Sequence, residues 1–533
     1  MSATEELYRS YLDLRWHFDP VSATIAGLST QDHRLGAYDA QSMGPHLAAF
    51  RAMAGAVESL EIEDTEEEID RTAFLDEIRV TLFRFEHERP QGRNPGVWLG
   101  HLLEGLYGLL RRPGLPDRAR VQALIGRLEA APAFLAAARE TLKEPPSVFL
   151  ESAILMNGGG RVLVAETAAL IGAADPDLAQ AGAPVVEAAS AALERFEEAL
   201  RSEFRAHPDA QSFAVGEDQF NRRLHFEHAL RAGAPELHRY GLHLLDEVEA
   251  SVVALAARLD PRRSWRDLVQ GLREGSPAPS DLVGAYADAV ARAREFVRSR
   301  GLAPFPPVDL DVVATPAFLR ALVPTAAYER PGPYEPVRNG TFLVTPQQRP
   351  AANGLSSHEL AITAVHEAFP GHHLQLAAAS GLPAEVRRFT WTPLTVEGWA
   401  LYCEEMMAEE GFFSPPEERL FQQVHLLWRA VRIVVDVGLH TRGMTPLEAV
   451  DLLVDRAAMD RPRAEAEVRR YCAMPTYQLC YAVGRREILR LRDDYRAREG
   501  SAFSLHDFHR EFLSYGGLPV SLIRWGMGLG VEE

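Results

Sequence analysis

The sequence predicts a mainly α, multi-helix fold with one small β element beside a cleft, and three observations predict it. Apolar residues recur at spacings of three to five over most of the chain, the period of a helix face. Short loops with Pro, Gly or polar residues separate these stripes, as at 111–117 and 206–215. One stretch differs: 301–354 is rich in Pro and Gly and holds two β-like pieces, at 311–314 and 340–345.

The elements follow in order. Over 67–90, Ile69, Phe74, Leu75, Ile78, Leu82 and Phe85 form one apolar stripe that stops before Pro90. Similar stripes predict helices near 119–143, 147–170, 183–206, 217–231, 234–260 and 279–300. The tract Asn157-Gly158-Gly159-Gly160-Arg161 lacks the Gly-Lys-Ser/Thr ending of a phosphate loop, so it reads as a helix break or a place of close backbone packing. Beyond the β-like pieces, helical patterns resume to about residue 513. No repeat or low-complexity linker divides the chain. It reads as one intimately packed unit, with a helical front half at 1–300 and a half carrying the metal motifs at 301–533.

Composition excludes several function classes. With 533 residues, 47% hydrophobic and 25% charged, the chain is that of an ordinary soluble globular protein. A formal charge of −19 argues against nucleic acid or an anionic membrane as partner. Cys403, Cys472 and Cys480 are too few for a disulfide framework or a cysteine-based zinc site. The first twenty residues carry charges throughout, without the apolar core of a signal peptide. No run of about 18 uncharged apolar residues suggests a membrane span. A cytoplasmic protein with no membrane association is expected.

The chemistry concentrates in His366-Glu367-Ala368-Phe369-Pro370-Gly371-His372-His373. It opens like H-E-x-x-H, in which two histidines one helical turn apart hold zinc and the glutamate works on water. Here the fifth position is Pro370, which cannot bind a metal. Ser356 and Glu359 fit a capping box that starts the helix, and Ile362, Val365 and Phe369 form its apolar stripe. Pro370 should stop that helix, and Gly371 supplies freedom to turn. In a straight helix His373 would lie about 10 Å along the axis from His366, too far to share one ion. The break is what allows His372 or His373 to swing back. Glu397 is the candidate third ligand, 24 residues after His373 and 25 after His372, and thermolysin-like and angiotensin-converting-enzyme-like peptidases place a glutamate ligand about that far downstream. Glu404, two turns on, can orient a ligand imidazole.

HEAFPGHHLQ at 366–375, EGWALYCEE at 397–405, RAVRIVVDVGLHTRGMT at 429–445, YAVGRREILRLR at 481–492 and FHREFLSYGGLPVSLI at 508–523 together resemble the bacterial zincin-like family catalogued as domain of unknown function 885. The opening YLDLRWHFDPVSATIAGL at 11–28 resembles that family's start, so the likeness covers nearly the whole chain. It implies a zincin-like, predominantly helical metallopeptidase fold and metal chemistry, with little information on substrate. This chain departs from relatives that begin with signal peptides or lipoprotein starts. It also reads Met474-Pro475-Thr476-Tyr477-Gln478 where many relatives carry a Pro-Gly-Gln run.

Bland readings stand beside these. The histidine cluster can be a polar helix end, and Glu397 a helix N-terminal carboxylate favoured by the dipole. His425, amid Val424, Leu426 and Leu427, reads as a satisfied core residue. Arg432, Asp436 and His440 share a helix face, as an ion-pair ladder or as a wall that binds a substrate carboxylate. Tyr481, from its place in the family-like motif, is the first candidate to steady an oxyanion, and Tyr471 the second. The 340–344 piece can offer its backbone to an extended peptide as an added strand.

The reading is a zinc-dependent hydrolase, a metallopeptidase of short peptides. Zn²⁺ is held by His366, Glu397 and one of His372 and His373, with a slight lean to His373 from its Leu374-Gln375 ending; Glu367 is the general base. Two rivals are a metal hydrolase of non-peptide amides or esters and a catalytically silent binding protein with a degenerate cleft. Oligomeric state is left open.

Overall fold

The computed structural model describes residues 2–530 apart from 113, 317–318, 321–322, 324, 337–338 and 347–354. It is mainly helical, as the apolar stripes predict. The expected helices near 119–143, 147–170 and 234–260 are Asp117–Thr141, Ser147–Gly172 and Ala234–Leu259. The tract at 157–161 does not break its helix: Gly158 and Gly159 face open space, whereas a Cβ on Gly160 would lie 2.8 Å from Leu103. Close packing is the reading that holds there. In the front of the molecule Asp117–Thr141, Ser147–Gly172 and Pro176–Ser202 pack on one another, and the first two also pack on Pro95–Arg111.

Two helix pairs carry the site. Ala234–Leu259 lies along Pro416–Thr441, and Pro393–Glu409 lies along Cys480–Glu499. The second half of Pro416–Thr441 is buried almost all round, consistent with its near-continuous apolar run. The buried apolar residues form one cluster running from Tyr8 to Met527. Asp117–Thr141 and Ser147–Gly172 are long and apolar enough, allowing a few charges, to cross a membrane, but only as a matter of length and composition. Windows of each are 50% and 44% buried inside this fold.

The described residues form one sheet of three strands: β1 (Leu310–Ala314), β2 (Ala326–Glu329) and β3 (Gly340–Val344), in the order β1-β3-β2. β1 runs parallel to β3, with Leu310 opposite Gly340, and β2 runs antiparallel, with Tyr328 opposite Phe342. The sequence showed β1 and β3. β2 escaped notice because Ala-Ala-Tyr-Glu has neither alternation nor β-branched residues. β3 is the central strand, so both of its edges are already paired. An added strand could pair only with an edge strand, β1 or β2.

Candidate metal centre

The helix that bears His366, Leu360–Glu367, starts as its capping box predicts: Glu359 Oε2 accepts the Ser356 N–H at 2.9 Å. It ends at Glu367, three residues before Pro370. The Phe369–Pro370 bond is cis, and a new helix, His372–Ser380, begins at once. Gly371 crosses the end of the first helix so closely that a Cβ would sit 1.9 Å from the His366 carbonyl oxygen. No other residue fits. The helix Pro393–Glu409 clamps this crossover from beneath: Trp399 Nε1–H donates to the Pro370 carbonyl at 2.9 Å, and Cys403 Sγ reaches it at 3.5 Å.

The crossover turns His372, and not His373, back onto His366, with their rings 4.8 Å apart at 85°. This corrects the lean to His373. Its ring leaves in the opposite sense, edge-on to Phe369 and Tyr328, with Nδ1 3.3 Å from the Tyr328 hydroxyl. Burial pushes the pKa of His373 down to about 4, so it stays neutral. Spacing could not separate two adjacent imidazoles, because the sense of the turn after Gly371 decides between them.

Glu397 completes the group. Thr392 caps its helix and Pro393 occupies the first position. Gly398 and Gly484 let this helix cross Cys480–Glu499 in backbone contact: a Cβ on Gly484 would lie 2.0 Å from the Leu394 carbonyl oxygen. One donor atom each from His366, His372 and Glu397 lies within 4.8 Å of the others, the one such group among the described residues. Glu397 Oε2 is 3.7 Å from His366 Nε2 and 3.4 Å from His372 Nε2. Bonds of about 2.0–2.1 Å at tetrahedral angles require ligand atoms about 3.3 Å apart, so two imidazoles and a carboxylate at these separations fit a zinc ion. Glu404 Oε1 accepts from His366 Nδ1 at 2.8 Å, which leaves Nε2 as the lone-pair nitrogen.

Electrostatics favour positive charge at this point. Burial opposes a charged His366, but Glu397 and Glu404 outweigh it and raise its pKa to about 9. Burial likewise opposes ionised Glu397, yet His366 and His372 hold its carboxyl well below the usual range. Glu397 Oε2, Glu404 Oε2 and His372 Nδ1 are buried with no hydrogen-bond partner among the described residues. Sequence reasoning missed Tyr477, whose hydroxyl donates to Glu397 Oε1 at 2.6 Å. Its signal was there: it stands in the 474–478 run where the chain departs from its relatives. Asp436 holds that run by accepting the N–H groups of Thr476 and Leu479, both at 3.1 Å.

The other candidates separate cleanly. Glu367 is partly exposed, and its Oε2 accepts the Tyr328 N–H of β2 at 2.9 Å. Tyr481 stacks beside His366, with ring centroids 6.1 Å apart at 14°. Tyr471 is fully buried and accepts from Arg432 Nε at 2.9 Å, so it is committed elsewhere. His425 is the satisfied residue expected, 3.0 Å from Glu359 Oε1. Arg432, Asp436 and His440 make no ladder: Arg432 pairs with Glu467, Asp436 with the amides above, and His440 Nε2 with the Tyr471 carbonyl at 3.0 Å. A cavity of about 550 Å³ behind the sheet, walled by Tyr107, Arg111, Glu329, Arg330, Thr341 and Leu343, includes none of the metal-centre residues.

The chain is thus a mainly helical protein in which His366, His372 and Glu397 are buried together. It belongs to the family described as bacterial protein of unknown function (DUF885), which matches residues 20–527. The structure is similar to that of a candidate lipoprotein of unknown function from Shewanella oneidensis, with a TM-score of 0.83, 24% identity, and coverage of 99% of this chain and 100% of that one. It is equally similar, at a TM-score of 0.83 and 19% identity, to a candidate lipoprotein from Colwellia psychrerythraea, covering 99% of this chain and 98% of that one. At these identities the likeness concerns the fold alone. No curated protein matches the chain.

Proposed function

We propose that this protein is a zinc-dependent hydrolase, a zincin-like metallopeptidase acting on short peptides, with His366, His372 and Glu397 as the residues that would hold the metal. One observation carries the reading: three buried donor atoms converge at separations of 3.4 and 3.7 Å around Glu397 Oε2, which accepts no hydrogen bond among the described residues. Zinc in such a setting supplies Lewis acidity, which makes water nucleophilic near neutral pH and polarises an amide carbonyl. Glu367, at the open end of the His366 helix, takes the proton from water and returns it to the leaving amine. The β2 amide of Tyr328 steadies one of its oxygens and leaves the other for that transfer. Tyr481 stands beside His366 to donate to the oxygen that becomes negative. Glu404 and Tyr477 orient His366 and Glu397.

Metal analysis of protein purified without chelators tests the reading. About one zinc per chain is expected, falling sharply in His366→Ala, His372→Ala and Glu397→Gln and persisting in His373→Ala. Full zinc in His366→Ala and Glu397→Gln would show that these side chains are not the ligands.

A further inference from the structure

The chain as a whole carries a formal charge of −19, yet near the metal centre three arginines gather on one aromatic ring. Three guanidinium groups surround the Trp428 ring: Arg432 at 4.0 Å, Arg429 at 4.6 Å and Arg463 at 5.0 Å from its centroid. Arg432 and Arg429 also lie over the Tyr481 ring, at 4.6 and 5.9 Å. The same Tyr481 ring neighbours His366 at 6.1 Å. One aromatic side chain thus touches both the cationic cluster and a candidate ligand.

The counter-charges are already shared. Glu467 serves Arg432 at 3.3 Å and Arg470 at 2.7 Å. Arg429 differs from its neighbours. It is 8% exposed, and its Nη1 donates only to the His425 carbonyl at 3.3 Å. Its Nε is buried with no partner among the described residues, where it also forms no ion pair. Burial acts against its charge first; Glu404, from beyond ion-pair distance, and Tyr481 oppose that, while Arg432 and Arg463 add to it. A guanidinium is a planar fork of donors matched to a carboxylate. Left buried with an open donor it is costly, and an anion from outside removes that cost.

We propose that Arg429, with Arg432 and Arg463 around Trp428, recognises a carboxylate of the substrate. The two contacts of the Tyr481 ring, 6.1 Å to His366 and 5.9 Å to Arg429, keep the reach from ligand to guanidinium within about 12 Å, at most roughly three to four extended residues. The carboxylate is therefore a free peptide C-terminus or an acidic side chain close to the scissile bond. The proposal rests on the hydrolase reading for the fate of the peptide, but its binding arm is independent of it.

The test is calorimetric titration of zinc-loaded Glu367→Gln protein with three probes of equal length: acetyl-Ala-Phe-Ala acid, its amide, and acetyl-Ala-Phe-Glu amide. One or both carboxylate probes should bind at least about tenfold tighter than the neutral amide, and which one does so identifies the source of the charge. Arg429→Gln should erase that preference, and Arg429→Lys should restore part of it. Arg463→Gln, at an exposed position, should reduce it without disturbing the core and serves if the buried variant does not fold. Equal affinity for all three probes, no binding of any, or a uniform loss in Arg429→Gln would overturn the proposal. Wild-type hydrolysis followed in parallel separates the two readings: a carboxylate preference without cleavage removes the hydrolase, and cleavage with no preference removes the arginine site.

Discussion

Arg112 and Arg127, in the front of the molecule, are 7% and 0% exposed, and their donors find partners inside the fold. Arg112 reaches Asp32 and the Gly27 carbonyl, each at 2.8 Å, as well as Glu335; Arg127 reaches the Arg34 carbonyl at 3.1 Å, the Gly105 carbonyl and the Thr24 hydroxyl. Glu335 Oε2 is the one atom of that cluster left over among the described residues. At the His366 centre leftovers accumulate: His372 Nδ1, Glu397 Oε2 and Glu404 Oε2. Folded proteins pair their buried polar groups. The first cluster is complete but for one carboxylate oxygen, and its charges are paired within the fold. On the proposed reading the second is completed by an ion that comes from outside, and this difference would distinguish a structural charge cluster from a functional one.

Mutations at the two clusters should therefore fail in different ways. The largest effect is expected at Glu367: changing it to Gln should lower turnover by about 10²–10⁴ while zinc content and melting temperature stay put. Turnover near wild type would take Glu367 out of the mechanism. Arg112→Ala should do the reverse. It strands Asp32 and Glu335, so denaturant unfolding should show a loss of about 3–5 kcal/mol, with zinc per folded chain unchanged. A stability loss below about 1 kcal/mol would erase the contrast between the clusters. Tyr477→Phe removes the hydroxyl from Glu397 Oε1 and should weaken zinc binding by about 10–100-fold, the usual effect of removing a ligand's supporting hydrogen bond, as read by competition with a chromophoric chelator. Unchanged affinity would make Tyr477 a packing residue.

The smallest effect is a pH dependence. Burial pushes the Asp436 carboxyl up to about 7, against the pull of the Leu479, Thr476 and Gln478 amides. The unfolded chain ionises it near its ordinary value of 3.8, so the folded state holds this proton longer. Its contribution to stability thus falls as pH rises through that interval and levels off above about 7. Between pH 6 and 8 the wild type should lose about 1.4 kcal/mol relative to Asp436→Asn, with chelator present to exclude zinc linkage. A pH-independent difference would show that Asp436 ionises normally in the fold.

Much of this was legible beforehand. Helix stripes, the capping box at Ser356 and the stop at Pro370 follow from local rules of period, cap and break, whereas Glu397 rests on its spacing and its likeness to the glutamate ligand of thermolysin-like and converting-enzyme-like peptidases. What stayed hidden depends on the path of the chain in space. The turn at Gly371 chose His372 over its neighbour. Tyr477 and Arg429 reach the centre from elements 80 and 32 residues away from Glu397, with no spacing to announce them. The strand β2, too short for a pattern, supplies the amide that meets Glu367.

The crossing at Gly371 has a thermodynamic consequence. In a straight H-E-x-x-H helix, two ligands are aligned as soon as the helix forms. Here the second imidazole is in place only while the Glu397 helix grips the Pro370 carbonyl through Trp399 and Cys403. On the proposed reading, ion affinity and global stability become one linked quantity: saturation at a hundred times Kd adds about 2.7 kcal/mol to folding, and any lesion that loosens this grip, however far from the donors, releases the ion. Zinc loss would then serve as a thermometer of the whole interior.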